Sequence, residues 1–259
     1  MLDYLSTLFA EPIAFFDQAI FRMLAVLIGL CCHEWAHAYA AYRCGDLTAK
    51  RMGRLSLNPL AHLDPVGTLL MFFAGFGYAR PVPVNPWNFR GDRRKCDLMV
   101  SLAGITINIL LFVLFTLAAV VGSLFMWDPM VVDYNGLSVL VNYRYNAVWS
   151  VIGGTVMQDF GGLIARPFLV PLVRLAAYTA LVNLNLAVFN LIPLPPLDGY
   201  HVFNDLILRG KLYLSEKAFR IGMLVVLVLS AQGILGRIIS AVVYPAQNLL
   251  LIPVRMIWG

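Results

Sequence analysis

Residues 19–42, AIFRMLAVLIGLCCHEWAHAYAAY, decide the fold, because they form an apolar run long enough to cross a membrane as one helix. The stretch His33-Glu34-Trp35-Ala36-His37 lies inside this run. The spacing places both imidazoles on one helix face, one turn apart, with the carboxylate beside them. Ionisable groups are costly at membrane depth, so three at this spacing predict a metal site with a general base rather than packing.

The composition agrees with a membrane setting. Hydrophobic residues make up 60% of the chain and charged residues 13%, whereas a typical soluble domain has about 25% charged residues. The formal net charge is +5, but the basic residues concentrate between apolar runs, which indicates membrane orientation rather than a nucleic-acid partner. We therefore expect an all-α fold, a polytopic transmembrane helical bundle, with residues 1–259 forming a single membrane-embedded domain.

Hydropathy divides the chain into several runs of membrane-spanning length. Residues 146–158 are more weakly apolar and are interpreted as lumenal or interfacial. Pro65 to Tyr78 is apolar but short, and it is predicted to be a re-entrant segment. We therefore expect a short re-entrant or β-like loop region after the first catalytic helix. The predicted spans are Ala19–Tyr42, Leu98–Met126, Pro167–Ile192, Phe219–Leu235 and Ile238–Ile257, the last being either a span or an interfacial helix.

Basic residues set the predicted orientation. The connection from Arg43 to Asp97 carries nine of the nineteen Lys and Arg residues, which marks it as cytoplasmic. The two histidines therefore lie toward the cytoplasmic end of the first span. The basic residues after Asp198 place that carboxylate at the same membrane face, so two histidines and one carboxylate converge.

Three further stretches, taken with His33–His37, resemble the site-2 protease family of intramembrane zinc metalloproteases. They are GRLSLNPLAHLDPVG at residues 53–67, RPVPVNP at residues 80–86 and NLIPLPPLDG at residues 190–199. The resemblance covers roughly Leu27 to Phe203, in the family's order. It corresponds to a compact form, since nothing in the chain resembles the PDZ or CBS domains of some members.

The resemblance implies a zinc metalloendopeptidase with one Zn²⁺ per chain, held by His33, His37 and Asp198, and with Glu34 as the catalytic residue. It implies regulated intramembrane proteolysis: hydrolysis of peptide bonds within or next to transmembrane segments of membrane proteins, near the cytoplasmic face. The expected partners are a transmembrane protein substrate, the lipid bilayer and a regulatory membrane protein. The expected location is a prokaryotic cell membrane, as a multi-pass integral protein.

One motif departs from the family. Its usual Ala-Gly-Pro-x-x-Asn reads Ala103-Gly104-Ile105-Thr106-Ile107-Asn108 here, so the proline is missing. Asn108 and Asn190 are candidates for substrate backbone contact or oxyanion stabilisation, while bonding between membrane helices is the alternative for both. The prolines at 81, 83 and 86 predict an extended segment that pairs with an unwound substrate.

Two other function classes fit parts of the pattern. A membrane zinc-binding or transport protein would need ligands at successive depths, whereas the candidate ligands lie at one level beside a carboxylate suited to catalysis. An inactive helix-binding scaffold would not need the complete set of ligands and base. Both remain alternatives to the protease interpretation.

Overall fold

A computed structural model describes residues 8–73, 79–212 and 214–258, and its regular structure is helical. Within those ranges β-structure is limited to two isolated bridges, Leu63 with Ala79 and Trp127 with Ile164. The expected all-α fold is confirmed. In chain order the helices are α1 Pro12–Arg43, α2 Thr48–Arg51, α3 Pro65–Phe73, α4 Arg93–Met126, α5 Pro129–Asn135, α6 Leu137–Leu140, α7 Asn146–Gly153, α8 Val156–Phe160, α9 Val170–Asn190, α10 Asp198–Leu206, α11 Glu216–Ala231, α12 Ile234–Leu250 and α13 Ile252–Trp258.

Four helical segments of the described chain are long and apolar enough to cross a membrane. The first three predicted spans are confirmed; the first two begin earlier than predicted, at Pro12 and Arg93, and the third ends at Asn190 instead of Ile192. The ambiguous last run is also long enough to span. The four segments are Pro12–Arg43, Arg93–Met126, Pro167–Asn190 and Ile234–Ile257.

The bundle has two distinct ends. We call the end where α1 finishes and α4 begins the basic end, because Arg43 and Arg93 to Lys95 lie there. At the opposite end, α5 to α8 form a cap of short helices, and Leu251 from the last span packs into its core together with Met126 and Trp127. The segment from Asn146 to Gln158 belongs to this cap, so its interpretation as a non-spanning stretch is confirmed.

The predicted span Phe219–Leu235 is wrong. The helix there, α11, has 16 residues and ends before Gly233, whose φ of 72° breaks the helix. Phe219 packs against Tyr200, while Leu235 packs with Leu197 and Val226. Both ends of α11 therefore lie near the α10 region at the basic end, and α12 begins its crossing from that end.

The predicted re-entrant segment is helical over Pro65–Phe73, and residues 74–78 lie outside the described part of the chain. The ring of Phe72 packs edge-on against Phe15 near the start of α1. Arg22 donates to the carbonyl of Phe72. The described part of this segment thus packs along α1 and is too short to span a bilayer, which needs about 20 residues.

Candidate metal centre

Three side chains from two separate parts of the chain converge at the basic end. Nε2 of His33 and Nε2 of His37, one turn apart on α1, are 2.9 Å from each other. Oδ2 of Asp198, the first residue of α10, is 3.3 Å from each of them. No other group of His, Cys, Asp or Glu ligand atoms within the described residues is drawn together closely enough to hold a metal ion.

The donor set fits zinc. Ligand atoms around a tetrahedral Zn²⁺ lie about 3.4 Å apart, as follows from bonds of about 2.1 Å, and these three atoms already approach that spacing. His37 Nδ1 is 2.8 Å from the carbonyl of Val100, so it carries the proton and leaves Nε2 with a free lone pair. An aspartate binds a metal in its ionised form, and Oδ2 of Asp198 faces both Nε2 atoms.

Two glycines make the convergence possible. A Cβ at Gly104 on α4 would lie 2.5 Å from His37 Nε2 and 2.7 Å from His33 Nδ1, so only glycine lets α4 approach the ligands. A Cβ at Gly199 would collide with the backbone of Leu191 and Ile192. Glycine there lets the chain after α9 fold back on itself and brings Asp198 to the depth of the histidines.

The departure from the family motif leaves the helix intact. α4 runs unbroken through Ile105, the position where the family usually has proline. Gly104, which the motif shares with the family, is the residue that contacts the ligands. A proline at this position is therefore not required for α4 to approach the ligands.

Glu34 lies beside the ligands and is fixed by the backbone. Its Oε2 accepts a 2.7 Å hydrogen bond from the N–H of Val82, which leaves Oε1 available. Val82 belongs to the segment 80–86, which we call the proline segment. This segment is extended, as its prolines predict, but it forms no strand.

Two buried charged residues hold the proline segment in place. Arg54 donates to the carbonyls of Arg80 and Pro81 at its start. Asp46 accepts a 2.7 Å bond from the N–H of Asn85 at its end. Burial raises the pKa of Asp46, but this bond and others from nearby side chains outweigh it and lower that pKa, so the anchor is charged.

The ligands line a cavity of 400 Å³ that also contains Glu34, Val82 and Asn190. Asn190 therefore faces the same cavity as the ligands. Asn108 does not line the cavity: its side chain is fully buried, and neither of its polar atoms has a partner in the described structure. The two asparagines singled out from the sequence thus occupy different environments.

Two further residues in the cavity wall were not predicted to be functional from the sequence. His201 Nδ1 is 3.1 Å from Asp97 Oδ2, and this bond raises the pKa of His201. Both residues also line a second cavity of 490 Å³ on the side of Arg93 and Arg209. His201 follows Asp198 by three residues on one helix, so helical spacing could have indicated its position.

Comparison with known proteins supports the chemistry of this centre. A sequence profile described as peptidase family M50 matches residues 21–231. The chain belongs to this family, that of the site-2 proteases. "Putative zinc metalloprotease YwhC" of Bacillus subtilis is 35% identical over 209 residues, which cover 81% of this chain and 79% of that protein. This M50 chain is thus a membrane metalloprotease with zinc as its cofactor.

Two more distant relatives are each named "Putative zinc metalloprotease Rip2". The Mycobacterium tuberculosis protein is 27% identical over 196 residues, 73% of this chain and 58% of that protein. The Mycolicibacterium smegmatis protein is 26% identical over 239 residues, 90% of this chain and 75% of that protein. No solved structure matches the chain. The bacterial relatives and the four apolar helices make it a multi-pass membrane protein of prokaryotes.

Proposed function

We propose that this M50 protease is an intramembrane endopeptidase that cleaves transmembrane or membrane-proximal segments of other proteins, with the described helices acting as one catalytic domain. The observation that carries the proposal is the position of the ligand triad and Glu34 in a cavity near one end of two spanning helices. A transport path would need ligands at other depths, and the described residues form one metal-binding group only.

His33, His37 and Asp198 hold the zinc, and Glu34 is the general base. Zinc supplies Lewis acidity, since it lowers the pKa of a coordinated water and polarises a peptide carbonyl. The available Oε1 of Glu34 takes the proton of the attacking water and later delivers it to the leaving amine. The bond from Val82 keeps the carboxylate oriented, so the side chain of Glu34 is already ordered for proton transfer before the substrate binds.

The proline segment supports the binding of an unwound substrate. Prolines at 81 and 83 lack an N–H, and the N–H of Val82 is used by Glu34. The N–H of Val84 has no partner among the described residues, and Val84 lines the ligand cavity. An extended substrate pairs with Val84 by strand addition, and Asn190 across the cavity contacts its backbone or the oxyanion.

Asn108 has a different role in this proposal, because it is sealed from the cavity. It lies one turn after Gly104 on α4, and side chains on a helix tilt toward its N-terminus. Its amide therefore points toward Gly104, where His33 Nδ1 lies, and that nitrogen is also buried without a partner in the described structure. Metal-bound histidines almost always donate their second N–H. Asn108 receives that bond through a water, and so positions His33.

Water reaches the centre from the basic end, which faces the cytoplasm by the distribution of Lys and Arg. The cavity of 490 Å³ shares Asp97 and His201 with the ligand cavity and is open to Arg94 and Arg209. Cleavage therefore takes place near the cytoplasmic membrane surface. Regulated proteolysis, in which a second membrane protein controls access of the substrate, is the cellular process that such a site serves.

The test uses the purified chain in detergent with transmembrane substrates that differ only by a helix-breaking Asn-Gly pair near one end. We expect cleavage near that pair, mapped by mass spectrometry, and loss of cleavage by about 10²–10⁴-fold in Glu34→Gln with zinc retained. Asp133→Asn, at an exposed position of the cap, is the control. Equal cleavage by wild type and Glu34→Gln, or products cut only in soluble tails, would contradict the proposal.

A further inference from the structure

An apolar groove runs along the outside of the catalytic helix. Its volume is 700 Å³, and its walls come from α1 and α4, away from the ligand cavity. The lining is mainly apolar, with the hydroxyls of Thr106 and Tyr39 as exceptions, and Arg43 closes it at the basic end. The residues that line it are Trp35, Ala36, Tyr39, Ala40 and Arg43 from α1, and Met99, Leu102, Ala103, Thr106, Ile107 and Leu110 from α4.

The walls of the groove are ordered by their own contacts. The rings of Trp35 and Tyr39 stack with centroids 5.2 Å apart. Arg43 donates a 3.3 Å hydrogen bond to the hydroxyl of Tyr39, which turns the guanidinium toward the groove. No acidic partner for Arg43 occurs among the ion pairs of the described residues.

A second cation lies at the same end. Lys95 precedes Met99 by one helical turn, so it continues the face of α4 that lines the groove. The two cations lie at the same end of the groove, because Ala40 and Ala41, which precede Arg43 on α1, pack against Val100, which follows Lys95 on α4. Lys95 is exposed and has no acidic partner in the described structure.

We propose that this groove binds an anionic phospholipid, with the phosphate held between Arg43 and Lys95 and one acyl chain lying along the apolar walls. The dimensions agree: Met99 to Leu110 spans about 16 Å at about 1.5 Å per residue, close to the length of an acyl chain. The depth agrees too, because both walls belong to spanning helices and both cations stand where those helices leave the apolar region. Two unpaired cations favour a headgroup with net negative charge over a zwitterionic one.

The site differs from ordinary contact with bulk lipid in having a fixed headgroup anchor. It lies on the outer face of the helix that carries His33 and His37, so the bound lipid packs against the catalytic helix without entering the ligand cavity. The proposal does not depend on what the protease cleaves, and its test does not measure cleavage.

The experiment is lipid retention by the full chain, measured by native mass spectrometry after titration with phosphatidylglycerol or phosphatidylcholine, together with the Tm in each lipid. Wild type is expected to retain one phosphatidylglycerol in preference to phosphatidylcholine. Arg43→Gln with Lys95→Gln should weaken phosphatidylglycerol binding about tenfold or more, since both cations that hold the phosphate are removed. Thr106→Trp, which fills the middle of the groove at an exposed position, should displace both lipids.

The matched control changes the same charge elsewhere: Arg51→Gln with Lys217→Gln, both exposed at the basic end, should retain the wild-type preference. Arg43→Lys with Lys95 intact should retain most of it, which separates charge from folding. Equal retention of the two lipids by wild type, or an equal loss in the matched control, would overturn the headgroup site. Displacement of phosphatidylglycerol by a transmembrane peptide that crosslinks next to Trp35 would show that the groove binds a helix instead.

Discussion

Both ends of the bundle bury polar side chains, but the hydrogen bonding of these side chains differs between the two ends. In the cap, Gln247 accepts from the N–H of Tyr143 and donates to the carbonyl of Val141, and Asn142 donates to Asn248. At the metal centre, His33 Nδ1 and both polar atoms of Asn108 are buried without a partner in the described structure.

This difference distinguishes buried polar groups that stabilise the fold from buried polar groups that are available to a ligand. A buried amide whose bonds are complete stabilises the packing of helices and has no capacity left for a ligand. Buried groups that converge with free lone pairs are costly unless something binds them. At the metal centre several such groups lie close together around the ligand triad, whereas Trp127 Nε1, which is also unpaired among the described residues, lies in the apolar core of the cap.

The largest expected effect comes from removing a ligand. Asp198→Ala should abolish stoichiometric zinc binding, because two histidines alone leave the metal with too few protein ligands. Cleavage should fall by about 10³-fold or more, in line with a loss of the metal's contribution. Zinc content is measured by elemental analysis of the purified protein. Asp205→Asn, a carboxylate on the same helix outside the triad, should keep its zinc, and loss of zinc there too would contradict the assignment.

The next effect tests the positioning role of Asn108. Asn108→Leu should weaken zinc binding by about 10–100-fold, the usual cost of losing a partner of a ligating histidine. Competition with a chelator measures the affinity, and the absorption spectrum of the cobalt-substituted protein reports the ligand geometry. Asn108→Gln should restore part of the affinity.

Thr116 provides the control for that comparison. It lies two turns further along α4, and its hydroxyl is also buried without a partner in the described structure. Thr116→Val should leave zinc affinity and the cobalt spectrum unchanged. If both substitutions weaken zinc equally, the effect belongs to the packing of α4 and not to Asn108.

A substitution in the cap should show the opposite pattern. Gln247→Leu leaves the Tyr143 N–H and the Val141 carbonyl unpaired, at a cost of about 1–3 kcal/mol for each group. The Tm should fall while zinc affinity stays at the wild-type value. Ser240→Ala on the same helix removes a hydroxyl bonded only within its own helix and should change stability by less than about 0.5 kcal/mol. A change in zinc affinity in Gln247→Leu would break the distinction between the two ends.

The smallest effect concerns pH. Burial raises the pKa of Asp205 to about 6, and the neighbouring Asp97 adds to the shift. The folded protein therefore binds this proton more tightly than the unfolded chain does. Stability falls as pH rises from about 4 to about 6 and stays lower above that range.

Asp205→Asn should thus raise the Tm by a few degrees at pH 7.5, about 2–4 °C per kcal/mol, with the gain shrinking as pH drops below about 5. Thermal unfolding at a series of pH values measures it. The substitution Asp133→Asn, in an exposed part of the cap, should give no such pH dependence. A constant gain for Asp205→Asn at all pH values would mean that packing, not ionisation, is responsible.

Much of the fold could be predicted because membrane helices are specified by local composition. Runs of apolar residues identified α1, α4 and α9, left open whether the last run spans, and placed residues 146–158 outside the spans. The failure at Phe219–Leu235 has a physical cause. An apolar run alone does not reveal that Gly233 ends α11 early or that the start of α12 packs with Leu197 at the basic end.

Only those residues of the site that belong to recognisable sequence motifs could be predicted. The histidine pair follows from helical spacing, and the contribution of Asp198 followed from counting spans and from the family resemblance. The backbone bond from Val82 to Glu34 and the requirement for glycine at 104 could not be predicted, because both depend on contacts between segments far apart in sequence. Burial of Asn108 behind the ligands likewise required the packing of α4 against α1.

Because of the bond between Val82 and Glu34, the length of the proline segment is more critical than the identity of its side chains. In the run Pro81-Val82-Pro83-Val84, donors and prolines alternate, so a donor is available only at every second residue. Most point substitutions at position 82 keep the amide that orients Glu34. Arg54 and Asp46 hold this loop at Arg80 and Asn85. Deleting Pro81, or inserting one residue just before it, would instead place a proline nitrogen, which carries no hydrogen, opposite Glu34. The loop is therefore expected to tolerate changes of side chain far better than changes of length.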